Sequence, residues 1–236
     1  MSVDQCIAVV ITAAGLGSRF SSQLPKQFQN LDGKPVLRHA IDVFESMGLV
    51  DHIVLVLPKD FLPQWSKESQ ALAHTRKIYA VLEGGASRQA SVHIGLQALK
   101  KTTTLVAIHD GARPLVLAQD VERAIDTCKG LDGAICAQPI RDSLKKVREG
   151  LISHDVDRED VWAMQTPQVF HYPWILQVYD QAEKEGHCAT DDASLAQRYG
   201  GKVCVVPSSS FNIKITYPED LDWAQRILDM RKQEAQ

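Results

Sequence analysis

The chain has 236 residues, 44% of them hydrophobic and 23% charged, with a formal net charge of −3. This balance suits one soluble globular domain with a sizeable core, and it gives no support to nonspecific binding of nucleic acid or anionic membranes. No apolar stretch approaches a membrane span and the N-terminus lacks a secretory leader, so a cytoplasmic location is expected. Five cysteines, Cys6, Cys128, Cys136, Cys188 and Cys204, are scattered without a Cys-x-x-Cys pair, which argues against a zinc site or a disulfide framework.

Ile7–Ile11 is a short β-branched run and reads as a buried strand. Thr12-Ala13-Ala14-Gly15-Leu16-Gly17-Ser18-Arg19 follows it, and then Pro25-Lys26-Gln27. Small residues after a strand let backbone N–H groups form a concave nest for anions, and Arg19 and Lys26 can neutralise the same polyphosphate. A P-loop would need Gly-x-x-x-x-Gly-Lys-Ser/Thr, and a dinucleotide site would need glycine where Phe20 stands, so neither motif fits.

Further apolar runs suited to buried parallel strands occur at Ile53–Leu57, Ile78–Leu82, Thr104–Ile108, Ala134–Ala137 and Val203–Val206. Helical patterns alternate with them at Val36–Met47, Gln64–His74, Ala90–Leu99, Ala118–Cys128 and Pro173–Glu185, and Pro218–Lys232 closes the chain. The alternation predicts an α/β fold with a doubly wound, mostly parallel sheet. Ligands in such sheets bind beyond the carboxyl ends of strands, where the Gly-rich loop, Glu83–Ser91 and His109–Pro114 all fall. Between Pro139 and Trp162 the pattern becomes a charged two-stranded hairpin around Glu149-Gly150, which has little to bury alone. With no repeat or linker in view, residues 1–236 read as a single domain with 139–162 as a protruding β-hairpin arm.

The run Ala-Ala-Gly-x-Gly-x-Arg followed by Pro-Lys-Gln resembles the signature loop of nucleotidyltransferases. Glu83-Gly84-Gly85, Arg88, His109-Asp110-Gly111-Ala112-Arg113-Pro114, Val156-Asp157-Arg158, Gln165-Thr166-Pro167-Gln168, Thr190-Asp191-Asp192-Ala193-Ser194 and Asn212-Ile213-Lys214-Ile215-Thr216 then occur in the order found in the 2-C-methyl-D-erythritol 4-phosphate cytidylyltransferase family. The resemblance covers nearly the whole chain. It implies a Rossmann-like nucleotidyltransferase fold, CTP and the polyol phosphate as substrates, a homodimer in which each arm embraces the other subunit, and Mg²⁺.

In such a reaction the attacking phosphate is already anionic, so cations that align and neutralise the reactants are required rather than a general base. The resemblance makes Arg19 and Lys26 transition-state stabilisers, with Lys214, on an apparent strand, and Arg158 joining the catalytic set. Ala13, Ala14, Gly15, Gly17, Gly85, Ala86 and Ser91 would line the CTP pocket. Asp110, Arg113, Ser143, Thr166 and Thr190 would meet the polyol phosphate, and Asp110 could also reach a metal held chiefly by phosphates and water. Two departures stand out: Ala86 where the family often has an acidic residue, and Phe211 where a polar residue is frequent. Ribitol-phosphate cytidylyltransferase is the nearest alternative, and a catalytically silent nucleotide-binding sensor is a more distant one.

Overall fold

In a computed structural model the described residues are 5–15, 20, 24–66 and 70–234. Strand β1 (Ile7–Thr12) is followed by a two-residue pair, β2 (Asn30–Leu31) and β3 (Lys34–Pro35), and by helix α1 (Val36–Ser46). Next come β4 (His52–Leu57), β5 (Ile78–Glu83), α2 (Arg88–Gln97), β6 (Leu105–Asp110), α3 (Ala118–Cys128) and β7 (Gly133–Pro139). The arm is β8 (Leu144–Arg148) and β9 (Leu151–Val156). The chain ends with β10 (Trp162–His171), α4 (Tyr172–Lys184), α5 (Asp192–Arg198), β11 (Val203–Pro207) and α6 (Glu219–Glu234).

Seven strands form one sheet in the order β11-β7-β10-β6-β1-β4-β5. Only β10 runs against the others, pairing antiparallel with both β6 and β7. Each of the six strands expected from apolar runs is present, and all six share one direction, as doubly wound alternation requires. Their continuous burial explains the near-continuous apolar runs: every residue of β1, β4 and β6 is buried. One apolar cluster packs α1 and α3 on one face of the sheet, and a second packs α2, α4 and α5 on the other. In α1 the buried Val36, Leu37, Ala40, Ile41 and Phe44 recur at helical spacing, and Pro35 stands at its N-cap. A third cluster, with Phe20, Leu31, Leu115 and Ile215, seats α6 beside the sheet.

Two expectations are corrected, and two elements are added. Gln64–His74 is not an α-helix; its described part holds two short 3₁₀ turns, Pro63–Trp65 and Gln70–Leu72. The Arg38 guanidinium takes the Ala71 and Ala73 carbonyls, and His74 turns the chain at φ +67°. Asn212–Thr216 is not a strand, because its backbone meets the rest of the molecule at single points, with Ile215 N–H donating to Ala112 O at 2.8 Å rather than joining a ladder. Finally, β10 and α5 carry the motifs around Thr166 and Asp192 that had no assigned element. The polar residues of β10, Gln165, Thr166 and Gln168, break the apolar run by which a buried strand is recognised.

Candidate active site

Three loops open from neighbouring strand ends. The Thr12↔Asp110, Thr12↔Val56 and Leu57↔Glu83 partners bring the ends of β1, β6, β4 and β5 level. Beyond them the ladder continues through Ala13 N–H to Val56 O (2.8 Å), Gly84 N–H to Leu57 O (2.8 Å) and Gly111 N–H to Thr12 O (2.9 Å). The chain is therefore rigid up to the point where the loops turn away. At Gly84 only glycine fits, since a Cβ there would stand 2.1 Å from the Ala14 Cβ.

Two polar side chains hold these loops. The Gln27 amide donates to Ala13 O (2.6 Å) and Gly15 O (2.9 Å), fixing the start of the Gly-rich loop. Ser91, in the first turn of α2, accepts from Gly85 N–H (3.1 Å) and donates to Ser87 O (2.9 Å), while Ser87 caps the helix by accepting from Ala90 N–H. Between the loops lies a cleft of about 570 Å³.

The structure brings Ala13, Ala14, Gly15, Lys26, Gly85, Ala86, Ser91, Asp110 and Lys214 together on the lining of this cleft, as well as Gln27 and Arg88. Gly17 and Arg19 lie outside the described residues. The remaining candidates are elsewhere. Thr190 is exposed on the turn before α5, with its hydroxyl 3.3 Å from the Ser194 hydroxyl. Ser143 and Arg158 are exposed at the arm, where Arg158 donates to the Arg141 carbonyl. Arg113 is mostly buried behind Asp110, and its Nη1 donates to Asn212 O at 2.8 Å.

Thr166 is buried and its hydroxyl is committed inward. It accepts from Asp110 N–H (3.1 Å) and lies 3.0 Å from His109 Nδ1. His109 Nε2 is 3.1 Å from the Arg113 carbonyl, which can only accept, so Nε2 carries the proton and Nδ1 accepts from Thr166. Full burial keeps this imidazole neutral, lowering its pKa to about 4. Thr166 thus serves the Asp110 backbone, not the cleft lining.

Asp110 is the centre of charge in the site. Its Oδ1 accepts from Arg88 Nε (2.9 Å), its Oδ2 accepts from Lys214 Nζ (2.6 Å), and Arg113 Nε stands 3.9 Å away. Burial would raise the carboxyl's pKa, but Arg88, Lys214 and Arg113 outweigh it and hold it well below the usual carboxylate range. Arg88 also grips Asp192 in a fork, Nη1 to Oδ1 and Nη2 to Oδ2, both 2.8 Å. Burial opposes its charge, yet the Asp192 and Asp110 carboxylates hold its proton more firmly than usual. Asp192 in turn accepts from the Tyr179 hydroxyl.

Gln27 and Asp192 were legible only as members of motifs, with no role attached. Their chemistry depends on partners distant in sequence. Among the described residues no three His, Cys, Asp or Glu side chains gather as a metal cage, and Asp110 is the one acidic residue on the cleft lining.

The comparisons bear on the family and the fold. The family described as 2-C-methyl-D-erythritol 4-phosphate cytidylyltransferase matches residues 7–230. A protein of that name from Desulforamulus reducens is 41% identical over 230 residues, covering 95% of this chain and 97% of its own. One from Alkaliphilus oremlandii is 36% identical over 227 residues, covering 96% of each. The crystal structure of 4-diphosphocytidyl-2C-methyl-D-erythritol synthase from Anaerococcus prevotii superposes with a TM-score of 0.81 at 28% identity, covering 95% of this chain and 99% of that one. With a family match that spans residues 7–230 and relatives of 36% and 41% identity over nearly the whole chain, this chain belongs to the 2-C-methyl-D-erythritol 4-phosphate cytidylyltransferase family.

Proposed function

We propose that the protein transfers the cytidylyl group of CTP to 2-C-methyl-D-erythritol 4-phosphate, giving 4-diphosphocytidyl-2-C-methyl-D-erythritol and pyrophosphate in isoprenoid precursor synthesis. The observation that carries this reading is the cleft at the ends of β1, β5 and β6, whose lining joins the small residues Ala13, Ala14 and Gly15 with Lys26, Asp110 and Lys214. An oxygen of the acceptor phosphate attacks the α-phosphorus, a new P–O bond forms, and the bond to the bridging oxygen of the β-phosphate breaks with its electron pair leaving on pyrophosphate. No proton need move to the nucleophile. Lys26, together with Arg19, stabilises the charge of the five-coordinate transition state, and Lys214 draws the acceptor phosphate into line.

Ala13, Ala14, Gly85 and Ala86 present small side chains and backbone groups to the nucleotide, so the base and ribose are read at close range by the main chain. Asp110 suits a hydroxyl of the polyol, since it is a firm anion held in place by cations on both oxygens. Mg²⁺ is the proposed metal; when bound it would neutralise part of the triphosphate charge. Asp110 is the residue to face it, directly or through water, with phosphate oxygens completing its ligands.

The arm supports a homodimer. Val147, Leu151 and Ile152 are 56%, 74% and 67% exposed on an otherwise charged hairpin, an arrangement that a second copy would cover. Arg158 and Ser143 at its base would then complete the acceptor site of the neighbouring subunit. Both substrates are polyanions that do not cross bilayers unaided, which supports action in the cytoplasm.

Pyrophosphate release with CTP and each polyol phosphate tests the reading. Methylerythritol phosphate should be used at least about tenfold better than ribitol phosphate in kcat/KM, the size of one well-placed polar contact. The reverse preference would establish the ribitol-phosphate reading, and CTP binding without turnover of either acceptor would establish a sensor.

A further inference from the structure

We propose that Asp192 is a positioning residue for this transfer, acting through Arg88 to keep one oxygen of Asp110 open to Lys214. The inference rests on the reading above and extends it to a buried side chain outside the cleft lining. Asp192 has no exposed surface, and both of its oxygens bind the Arg88 fork. A planar guanidinium gripped on two nitrogens has its third direction fixed, and here Nε is aimed at Asp110 Oδ1. Only one oxygen of Asp110 is consumed. The other holds Lys214, which is partly exposed and lines the cleft.

Without the Asp192 charge, Arg88 would be free to turn its fork on Asp110, the nearest remaining carboxylate. A bidentate pair would then occupy both oxygens and displace Lys214. The cation proposed to align the acceptor phosphate would lose its anchor, whereas the Gly-rich loop and the Gly84–Ala86 turn are held by Gln27 and Ser91 and would be unmoved. Asp192 is itself held by the sheet. Gln168 of β10 donates to Asp191 Oδ2 (3.0 Å) and accepts from Ala193 N–H (2.8 Å), so both neighbours of Asp192 are tied to one amide. A purely structural role would require charge compensation of Arg88 alone. It would not predict a defect confined to one substrate.

The test is steady-state kinetics of the whole enzyme with CTP and methylerythritol phosphate, each varied at saturating concentrations of the other, beside thermal melting. At saturating Mg²⁺, which phosphate oxygens and water would chiefly hold, Asp192→Asn should lower kcat/KM for the polyol phosphate about tenfold to a hundredfold, the scale of losing a hydrogen bond to a charged group, and leave KM for CTP within about twofold. Arg88→Lys keeps the positive charge but loses the fork, so it should reproduce the acceptor defect and carries the test if Asp192→Asn does not fold. Adding Asp192→Asn to Arg88→Lys should cause little further loss, because the two act in one chain of contacts. Parent-like acceptor kinetics in folded Asp192→Asn or Arg88→Lys, an equal defect toward CTP, or losses that multiply in the double variant would overturn the proposal. Absence of pyrophosphate release by the parent enzyme would instead overturn the functional reading on which it rests.

Discussion

Lys26 and Asp110 face the same cleft with opposite assignments, and each leads to a different measurement. Lys26 is proposed to stabilise charge that develops at the α-phosphate, so Lys26→Ala should lower kcat by about a hundredfold or more while the melting temperature holds. A normal kcat with only a raised KM for CTP would assign Lys26 to ground-state binding. Asp110 is already shared between Arg88 and Lys214, and among the described residues no second carboxylate lines the cleft. The other ligands of the proposed Mg²⁺ would therefore come from the triphosphate and water, which would make its binding weak in the absence of nucleotide. Excess EDTA should abolish turnover, and added Mg²⁺ should restore it; undiminished pyrophosphate release in EDTA would remove the metal from the mechanism.

At the scale of elements, the arm carries the proposal for assembly and the β10–α5 pair the proposal for positioning. The arm turns tightly at Glu149 and Gly150, with φ of +50° and +81°, and the extended pair leaves its apolar residues exposed. A neighbouring subunit's site completed by Arg158 predicts complementation. Arg158→Ala and Lys26→Ala enzymes should each be crippled, yet a hybrid dimer would hold one site with both wild-type residues and regain up to about half the normal activity. Subunit exchange verified by mass without recovered activity would confine Arg158 to its own chain. In β10 the register shifts between Met164 and Gln168. Gln165 and Thr166 there bond to Asn212, whose amide donates to Gln165 Oε1 (3.0 Å) and to Thr166 O (2.8 Å). This is how an antiparallel strand locks the segment carrying Lys214 beside the cleft.

For the whole molecule, burial of histidines gives stability a definite pH dependence. Burial lowers the pKa of His39 and His52, and that of fully buried His109 to about 4. Unfolded histidines take up protons near pH 6.5, so between pH 6.5 and 4 the unfolded chain binds more protons than the folded one. Stability is full above that window and is lost as pH falls through it, with His109 alone worth on the order of 3 kcal/mol by the lower end. Asp110, lowered instead by its cation partners, adds a further loss once the pH drops below the ordinary carboxylate range. Melting temperatures measured from pH 7 to 4 should fall steadily, most steeply below about pH 6. A flat profile across that range would mean that His109 is protonated in the folded protein.

The amino-acid sequence by itself determined the parallel core of the sheet and the edge of the sheet at which the cleft opens. Runs such as Ile7–Ile11 and Ile53–Leu57 are apolar because both faces of those strands are covered, and the loops after them must begin at the sheet's carboxyl edge. That Lys26 and the small residues from Ala13 to Gly15 share a cleft was legible because they lie close together in the chain just after a buried strand. What only the tertiary structure decided involves groups brought together across the chain. The polar run in β10 hid a central strand, because its glutamines and threonine bond to α5, His109 and Asn212 rather than to water. Thr166 looked like a phosphate donor until His109 and the Asp110 backbone claimed its hydroxyl, and Arg88, legible only as a member of a motif, found its partner in Asp192, 104 residues away. A side chain's hydrogen-bonding capacity is finite, and how it is shared is set by which partners folding places within 3 Å, a property that spacing along the sequence does not carry.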